Sequence, residues 1–201
     1  MKNHHPVRST RCGFLFFFML GCAGLTAPAL CAAPLPLANP GFEEGLAGWK
    51  AEDADANAVR VVPEAASLGT KGLRVRTSKG DRSLNVESGK LAVVPGRTYT
   101  VDFWAGGGGI PADPQGRVLV ETVFADAAGA VLKPDRASIR VWPAKDVSGG
   151  RFFSKCTIGA AAPAGAATLV VHIKSYGAGA AAGDLDDFNV QELPAEQPKE
   201  A

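Results

Sequence analysis

Beyond its first 33 residues, this sequence has very few of the residues on which redox and zinc chemistry depend. Of four cysteines and three histidines, only Cys156 and His172 lie after residue 33. A single thiol excludes an internal disulfide, and one imidazole with one thiol falls short of a four-ligand zinc site. A Ser-His-Asp or Cys-His triad would have to use His172, yet no nucleophile-elbow motif surrounds any serine. The sequence therefore predicts a protein without catalytic residues.

Excess charge of one sign and long apolar runs are also absent from this part of the chain. Removing residues 1–33 takes away Lys2, Arg8 and Arg11 and no acidic residue, which changes the formal charge from +1 to −2. That charge does not resemble the basic footprint of a nucleic-acid-binding protein. No later apolar run approaches the roughly 20 residues of a membrane-spanning helix. We therefore expect no nucleic-acid partner and no membrane span in the mature protein.

The first 33 residues have the order of a secretory signal peptide. Basic residues come first, the apolar run 13–20 follows, and small residues lead to Ala32 and Ala33, where we expect cleavage. Alternatively, Met19-Leu20-Gly21-Cys22 resembles a bacterial lipoprotein signal, which would place a lipid anchor on Cys22. Either reading predicts a secreted protein or one of the periplasm or cell envelope.

Residues 34–193 consist mainly of short segments with the alternation of β-strands. In Thr98–Trp104, Tyr99, Val101 and Phe103 share one face, which we expect to be core, and Trp104 shares the other. Asp126-Ala127-Ala128-Gly129 is a hairpin signal. Further predicted strands are Ala58–Val62, Gly72–Thr77, Arg117–Phe124, Val131–Leu132, Ser138–Trp142, Arg151–Ile158, Thr168–Lys174 and a terminal strand through Leu185–Phe188.

No segment has a helical period long enough to compete with the strands. The alanine-rich stretches 160–165 and 178–183 contain Gly or Pro and are predicted to be loops. Many short antiparallel strands separated by turns indicate an all-β domain, a sandwich or jelly roll. We expect one such domain over residues 34–193, a flexible connection at 106–114, and a disordered tail at 194–201.

Two segments at opposite ends of this domain combine carboxylates with apolar and turn-forming residues. Asn39-Pro40-Gly41-Phe42-Glu43-Glu44-Gly45 leads to Trp49, which we expect in the core, and Leu185-Asp186-Asp187-Phe188 lies in the last strand. If the terminal strands pair, oxygen ligands from both ends could share one calcium ion. The alternative is that these carboxylates are solvated residues at strand ends.

The order of motifs resembles the carbohydrate-binding modules of the family four, nine and twenty-two type. The segments that carry the resemblance are Asn39–Glu43 with Gly45 and Trp49, then Gly69–Val75, Pro95–Trp104, Pro163–Ala166 and Leu185–Phe188. The resemblance implies a galactose-binding-like antiparallel β-sandwich with jelly-roll topology, a structural calcium ion near the paired termini, and a glycan groove on one sheet. It covers nearly all of residues 34–193.

The resemblance also implies which atoms would bind calcium. In similar modules the ligands are a carbonyl and a carboxylate from the first motif, a carbonyl from the glycine-containing segment, and an aspartate from the last motif. The corresponding residues here are Gly41, Glu43, a carbonyl within Gly69–Gly72 for which we take Lys71, and Asp186, with Asp187 as the alternative.

A glycan site needs an exposed aromatic ring, on which sugar C–H groups stack, and polar side chains that bind the hydroxyls. Trp104 is opposite in phase to the expected core residues of its strand. Five further residues on neighbouring predicted strands or strand ends have suitable side chains. The candidate ligand-binding residues are therefore Trp104, Trp142, Glu121, Arg140, His172 and Tyr176.

These observations favour a monomeric, non-catalytic module that binds a poly- or oligosaccharide. The main alternative is an adhesion or scaffold sandwich of the cell envelope that binds no sugar, because fold alone does not establish function. A glycosidase needs two carboxylates, for which Glu121 and Asp102 on adjacent strands are the conceivable pair. Whether Glu121 and Asp102 can act as such a pair depends on their separation in the fold, which their spacing in sequence does not give.

Overall fold

The computed structural model describes residues 32–53, 58–77, 84–106, 116–132, 138–141, 153–177 and 179–194, with residues 53 and 138–141 described in their backbone only. The predicted signal peptide up to residue 31, Trp142, most of the connection at 106–114, and the tail from residue 195 lie outside the described residues. The signal-peptide cleavage site and the tail remain predictions.

Twelve strands form in the described residues. They are β1 (Ala33–Pro34), β2 (Trp49–Asp53), β3 (Val59–Val62), β4 (Gly72–Arg76), β5 (Leu84–Ser88), β6 (Leu91–Ala92), β7 (Thr98–Gly106), β8 (Arg117–Ala125), β9 (Ser138–Val141), β10 (Phe153–Ala161), β11 (Thr168–Tyr176) and β12 (Ala182–Glu192). The described residues contain one helix, the 3₁₀ turn Pro63–Ala65. No helix in this part of the chain has the length and apolar character needed to cross a membrane.

The strands build two antiparallel sheets that pack face to face. Sheet A has the order β10-β7-β12-β4-β3, with β1 paired to β12, and sheet B has the order β2-β5-β11-β8-β9, with β6 paired to β11. The predicted all-β sandwich is therefore confirmed. The terminal strands also pair as expected, since Ala33 lies opposite Glu192.

The strands follow from alternation, which places one face of each sheet in the core and the other outside. In β7 Tyr99, Val101 and Phe103 are buried and Trp104 is half-buried on the outer face, as predicted. In β11 Leu169, Val171 and Ile173 face inward, so His172 and Lys174 face outward. Apolar residues from both inner faces fill the space between the sheets.

Some of the loop and strand predictions are wrong. The alanine-rich stretches are not entirely loops, because β10 extends through Ala161 and β12 begins at Ala182. Val131–Leu132 is no strand, and Val131 makes a single bridge to Ala125. The hairpin turn itself forms as expected, because the Asp126 carboxylate accepts the N–H groups of Ala128 and Ala130.

A β-bulge interrupts β12 beside the second carboxylate motif. Asp186 lies opposite Trp104 and Asn189 lies opposite Asp102, so two residues of β12 face one residue of β7. The extra residue, Asp187, has φ +50°. The bulge shifts the alternation by one residue, so that Phe188 enters the core while Asp186 and Asn189 both lie on the outer side of sheet A.

Candidate functional site

The two end motifs meet through their aromatic residues. Phe188 stacks on Phe103 with ring centroids 5.0 Å apart and contacts Trp49 at 5.3 Å and Phe42 at 6.0 Å. The Phe188 N–H donates to the Pro40 carbonyl at 3.0 Å. Trp49 is buried, as predicted, and its indole N–H donates to the Asn39 carbonyl at 3.2 Å. These contacts hold the first motif against β12 and bring the carboxylates of both motifs near one loop.

That loop, residues 66–71, is bound by one carboxylate from each motif. Glu43 accepts the N–H groups of Thr70 at 2.7 Å and Lys71 at 3.1 Å, and also the Thr70 hydroxyl. Asp186 accepts the N–H groups of Ser67 at 2.7 Å and Leu68 at 3.0 Å. We call Gly41, Glu43, loop 66–71 and Asp186 the terminal clasp. Four predicted calcium ligands, at Gly41, Glu43, Lys71 and Asp186, thus lie in one place.

The electrostatics of the terminal clasp differ between its two carboxylates. Asp186 is completely buried, and within the described residues it has no cationic side-chain partner. Burial raises the pKa of Asp186 above its usual value, while hydrogen bonds from backbone N–H groups partly oppose the shift. Glu43 is exposed, and the hydrogen bonds from Thr70 lower its pKa. The clasp therefore contains a buried carboxylate that pairs with no cationic side chain of the described residues.

One position of the terminal clasp requires glycine. A Cβ on Gly69, whose φ is +65°, would lie 2.1 Å from a Glu43 carboxylate oxygen, whereas one on Gly41 would lie at an ordinary contact distance of 3.6 Å from Asp186 Oδ1. No three His, Cys, Asp or Glu side chains in the described part of the chain converge on a metal position. The predicted set needs only two carboxylates, because carbonyls supply its other ligands. The residues present fit a calcium ion.

A second cluster lies on the outer face of sheet B. Strand pairing places Glu87 of β5, His172 of β11 and Glu121 of β8 side by side, one on each of three adjacent strands. The His172 ring nitrogens lie 3.4 Å from Glu87 and 3.8 Å from Glu121, and the Lys174 ammonium donates to Glu121 at 2.6 Å. We call these four residues the polar row.

The central carboxylate of the polar row is shielded from solvent. Glu121 is only 5% exposed although its strand position faces away from the core, and the outward-facing Val123 is also buried. The His172 and Lys174 side chains lie against the Glu121 carboxylate and help to cover it. Tyr176, at the end of β11, is 42% exposed and lies opposite Arg117. The outer face of sheet B thus combines carboxylate, imidazole and ammonium groups with an exposed aromatic side chain at the end of β11.

The structure brings together some of the predicted ligand-binding residues and separates others. Glu121, His172 and Tyr176 share the outer face of sheet B, and the backbone of Arg140 pairs with Leu119 on the neighbouring strand. Trp104 lies on the outer face of sheet A, on the other side of the sandwich. Trp142 lies outside the described residues. The six candidates therefore do not form one site.

The proposed carboxylate pair of a glycosidase is wrong. Asp102 lies on the outer face of sheet A and Glu121 on the outer face of sheet B, on non-adjacent strands. Packed sheets are about 10 Å apart, so outward-facing carboxylates on opposite sheets are separated by more than the 5 to 9.5 Å that glycosidases use. Asp102 instead pairs with Lys155 and accepts the Thr157 hydroxyl.

Sequence reasoning missed Glu87 and Lys174 of the polar row, and Asn85, whose side-chain amide donates to Glu87 at 2.8 Å. Glu87 and Asn85 belong to β5, for which no strand was predicted. The alternation Leu84-Asn85-Val86-Glu87-Ser88 is the signal that could have identified it. Lys174 lies two residues after His172, so its shared face could have been read from the same alternation.

The fold and these two clusters can be compared with known proteins. Residues 37–122 match the family model of a carbohydrate binding domain. The predicted resemblance is confirmed over these residues, which extend from the first clasp motif to β8. A search of curated protein sequences gave no match.

Solved structures share the β-sandwich fold of this chain. The CBM22-1 xylan-binding domain of Paenibacillus barcinonensis Xyn10C has a TM-score of 0.51 at 20% identity, with 78% of this chain and 93% of that chain covered. The CBM22-1-CBM22-2 tandem domain of the same protein has a TM-score of 0.54 at 20% identity, with 87% and 50% covered.

The enzymatically active domain of bacteriophage CBA120 tailspike protein 4 has a TM-score of 0.56 at 14% identity. The match covers 78% of this chain but only 21% of the tailspike chain. This chain therefore spans about a fifth of that relative. At these identities, the likeness of all three structures concerns the fold alone.

Proposed function

We propose that this protein is a secreted or cell-envelope, non-catalytic carbohydrate-binding module that recognises a poly- or oligosaccharide on the outer face of sheet B. The observation that carries the proposal is the polar row, in which Glu121 is nearly buried among polar side chains on an outward-facing strand position. The match of residues 37–122 to a carbohydrate binding domain supports the ligand class.

The chemistry of the polar row suits sugar hydroxyls. The carboxylates of Glu87 and Glu121 accept hydrogen bonds, the Lys174 ammonium donates them, and the His172 imidazole can do both. Hydrogen bonds that involve charged groups contribute about 1.5–3 kcal/mol each. Tyr176 offers a ring on which a sugar can stack at the end of the row. Because acidic and basic groups lie side by side, the polar row suits an uncharged glycan.

We also propose that the terminal clasp binds calcium as a structural ion. Gly41 and Lys71 would contribute carbonyl oxygens, and Glu43 and Asp186 would contribute carboxylates. The ion would neutralise the buried Asp186 charge and hold the first motif, loop 66–71 and β12 together. The clasp and the polar row belong to different sheets, so the ion's proposed role is to stabilise the fold rather than to contact the glycan.

The binding proposal is tested by retention on insoluble xylan, cellulose and mannan, followed by a glycan array. We expect the wild-type protein to be retained on at least one polysaccharide. Glu121→Gln and Tyr176→Ala should each weaken the affinity for that polysaccharide by about tenfold or more, which is the effect of losing a charge-assisted hydrogen bond or a binding hot spot. Glu64→Gln makes the same chemical change on the exposed 3₁₀ turn and should bind normally.

Melting curves of each variant separate a lost contact from a lost fold. Binding that is unchanged in both Glu121→Gln and Tyr176→Ala would refute the placement of the site on sheet B. No retention on any polysaccharide, together with an empty array, would refute sugar binding and favour the adhesion or scaffold alternative.

A further inference from the structure

The outer face of sheet A carries a second surface that the proposed glycan site does not use. Its centre is β7, which lies between β10 and β12. Trp104 is half-buried there, and Asp102 and Thr100 follow it on the same face. Asp102 lies between Thr157 of β10 and Asn189 of β12, while Gln191 lies opposite Thr100. We call Trp104, Asp102, Thr100, Thr157, Asn189 and Gln191 the Trp104 face.

The dimensions of the Trp104 face follow from strand geometry. Four residues along β7 span about 14 Å, and three adjacent strands span about 10 Å. Gly159, opposite Thr100, has no side chain that would rise beside this end of the face. The surface is therefore long and shallow, and its side chains are fixed on paired strands rather than on loops.

Three of the six side chains of the Trp104 face are not bonded to other described residues. Within the described residues, the Trp104 indole and the amide groups of Asn189 and Gln191 make no side-chain hydrogen bond, and the indole is in no ring contact. The polar row differs, because its charged groups bond to one another. A ligand on the Trp104 face would therefore displace water and break no hydrogen bond of these three side chains.

A wall borders one side of the Trp104 indole. Trp104 lies opposite Asp186, and Asp186 accepts the N–H of Leu68 at 3.0 Å. Loop 66–71 therefore rises beside the indole, and its Leu68 side chain is 55% exposed. The loop that carries the exposed Leu68 thus borders the Trp104 end of the face, and Asn189 and Gln191 follow away from it along β12.

This combination matches the chemistry of an uncharged sugar chain. One flat ring can stack on sugar C–H groups, and carboxamide and hydroxyl groups can pair with sugar hydroxyls. The Asp102 carboxylate is neutralised by Lys155, with 3.1 Å between the charged atoms, so the face favours neither anions nor cations. A protein partner is disfavoured, because protein interfaces centre on clusters of buried apolar anchors rather than on one indole among amides.

We propose that the Trp104 face is a second glycan-binding surface, on the opposite sheet from the polar row. The class of ligand, a glycan, rests on the proposed function, whereas the location of this surface does not. With two such surfaces on opposite sides of the sandwich, one molecule could bridge two chains of the same polysaccharide, or bind one insoluble surface with either sheet.

Nuclear magnetic resonance titration of the folded protein with xylohexaose, cellohexaose and mannohexaose tests the inference. We expect saturable shifts of the Trp104 indole N–H and of the Asn189 and Gln191 side-chain amides. Shifts confined to the polar row would overturn the inference and leave the proposed function standing. Shifts confined to the Trp104 face would support the inference and refute the placement on sheet B, and no shifts with any of the sugars would overturn the inference.

Two variants then measure the contribution of the face. Trp104→Phe keeps an aromatic ring in the sheet, and Asn189→Ala removes an amide that makes no hydrogen bond to the described residues. We expect each to raise the Kd measured from the Gln191 amide shift by about tenfold. Lys90→Ala truncates an exposed side chain at the turn between β5 and β6 and should leave this Kd unchanged. A Kd that stays the same in both face variants would overturn the inference.

Discussion

The terminal clasp gives the sharpest prediction, because its stability should depend on both calcium and Asp186. Asp186 is fully buried and accepts three N–H groups, from Ser67, Leu68 and Asp187, at 2.7 to 3.0 Å. If calcium neutralises this carboxylate, the folded state binds the ion and the unfolded state does not. Chelation should therefore lower the free energy of unfolding of the wild-type protein.

The size of the effect follows from linkage. Calcium at 100 times its dissociation constant stabilises the folded state by about 2.7 kcal/mol. For a domain of 150 to 250 residues, 1 kcal/mol corresponds to roughly 2–4 °C in Tm, so chelation should lower Tm by about 5–11 °C. Magnesium at the same concentration should restore little of this loss, because it requires smaller, octahedral coordination with retained water.

Asp186→Ala separates the ion from the hydrogen bonds. This variant leaves three part-buried N–H groups without their carboxylate acceptor, so it should be less stable than the wild type even in chelator. It should also show no further loss when calcium is removed. The measurement is urea and thermal unfolding of both proteins, with calcium and with chelator.

Asp184→Asn is the matched control for the clasp experiment. Asp184 is buried on the same strand and the same face, but its carboxylate pairs with Arg74 at 2.8 Å. The variant should therefore be destabilised and still respond to calcium like the wild type. Coincident wild-type unfolding curves with and without chelator would refute the calcium site. A calcium response that survives in Asp186→Ala would refute the role of this carboxylate.

Two further predictions concern the core on either side of the clasp. Phe188→Ala removes a side chain that contacts three aromatic rings and should lower the free energy of unfolding by about 3–5 kcal/mol. Phe188→Leu should lower it by less. Equal losses for the two variants in urea unfolding would contradict the packing argument. Tyr99 is buried, its hydroxyl donates to Glu192 and accepts from the Val94 N–H, and burial raises its pKa above its usual value of about 10. Its contribution to stability is full below that value and is lost as pH rises through the folded-state pKa. Wild-type stability should therefore fall more steeply with pH than that of Tyr99→Phe above pH about 10, and parallel pH profiles would contradict this.

The sequence allowed much of the fold to be predicted, because alternation is a local property of each strand. Tyr99 and Trp104 were assigned to opposite faces of β7 from their phase alone, and both assignments hold. β5 was missed because its five residues include three polar ones and no strong turn signal. A short strand of this kind forms because its neighbours supply its hydrogen bonds, and that information lies elsewhere in the chain.

The site could be predicted only in part, since local patterns do not say which strands become neighbours. Glu121 and Asp102 each lie on a strand that the sequence predicts, yet their strands belong to different sheets. His172 and Glu121 are 51 positions apart in sequence and directly opposite in register. Strand order depends on how the whole sandwich packs. An outward phase in the sequence therefore identifies candidate site residues but does not show which of them are neighbours.

The bulge in β12 connects the clasp to the Trp104 face. Without the extra residue, Asp186 and Asn189 could not both lie on the outer side of sheet A, and Phe188 could not enter the core between them. The packing of Phe188 in the core thus helps to hold two residues on the outer face of sheet A, Asp186 before it in the chain and Asn189 after it. Calcium binding, core packing and the second glycan surface should therefore respond together to a change in this bulge, whereas the polar row, on the opposite sheet, should not.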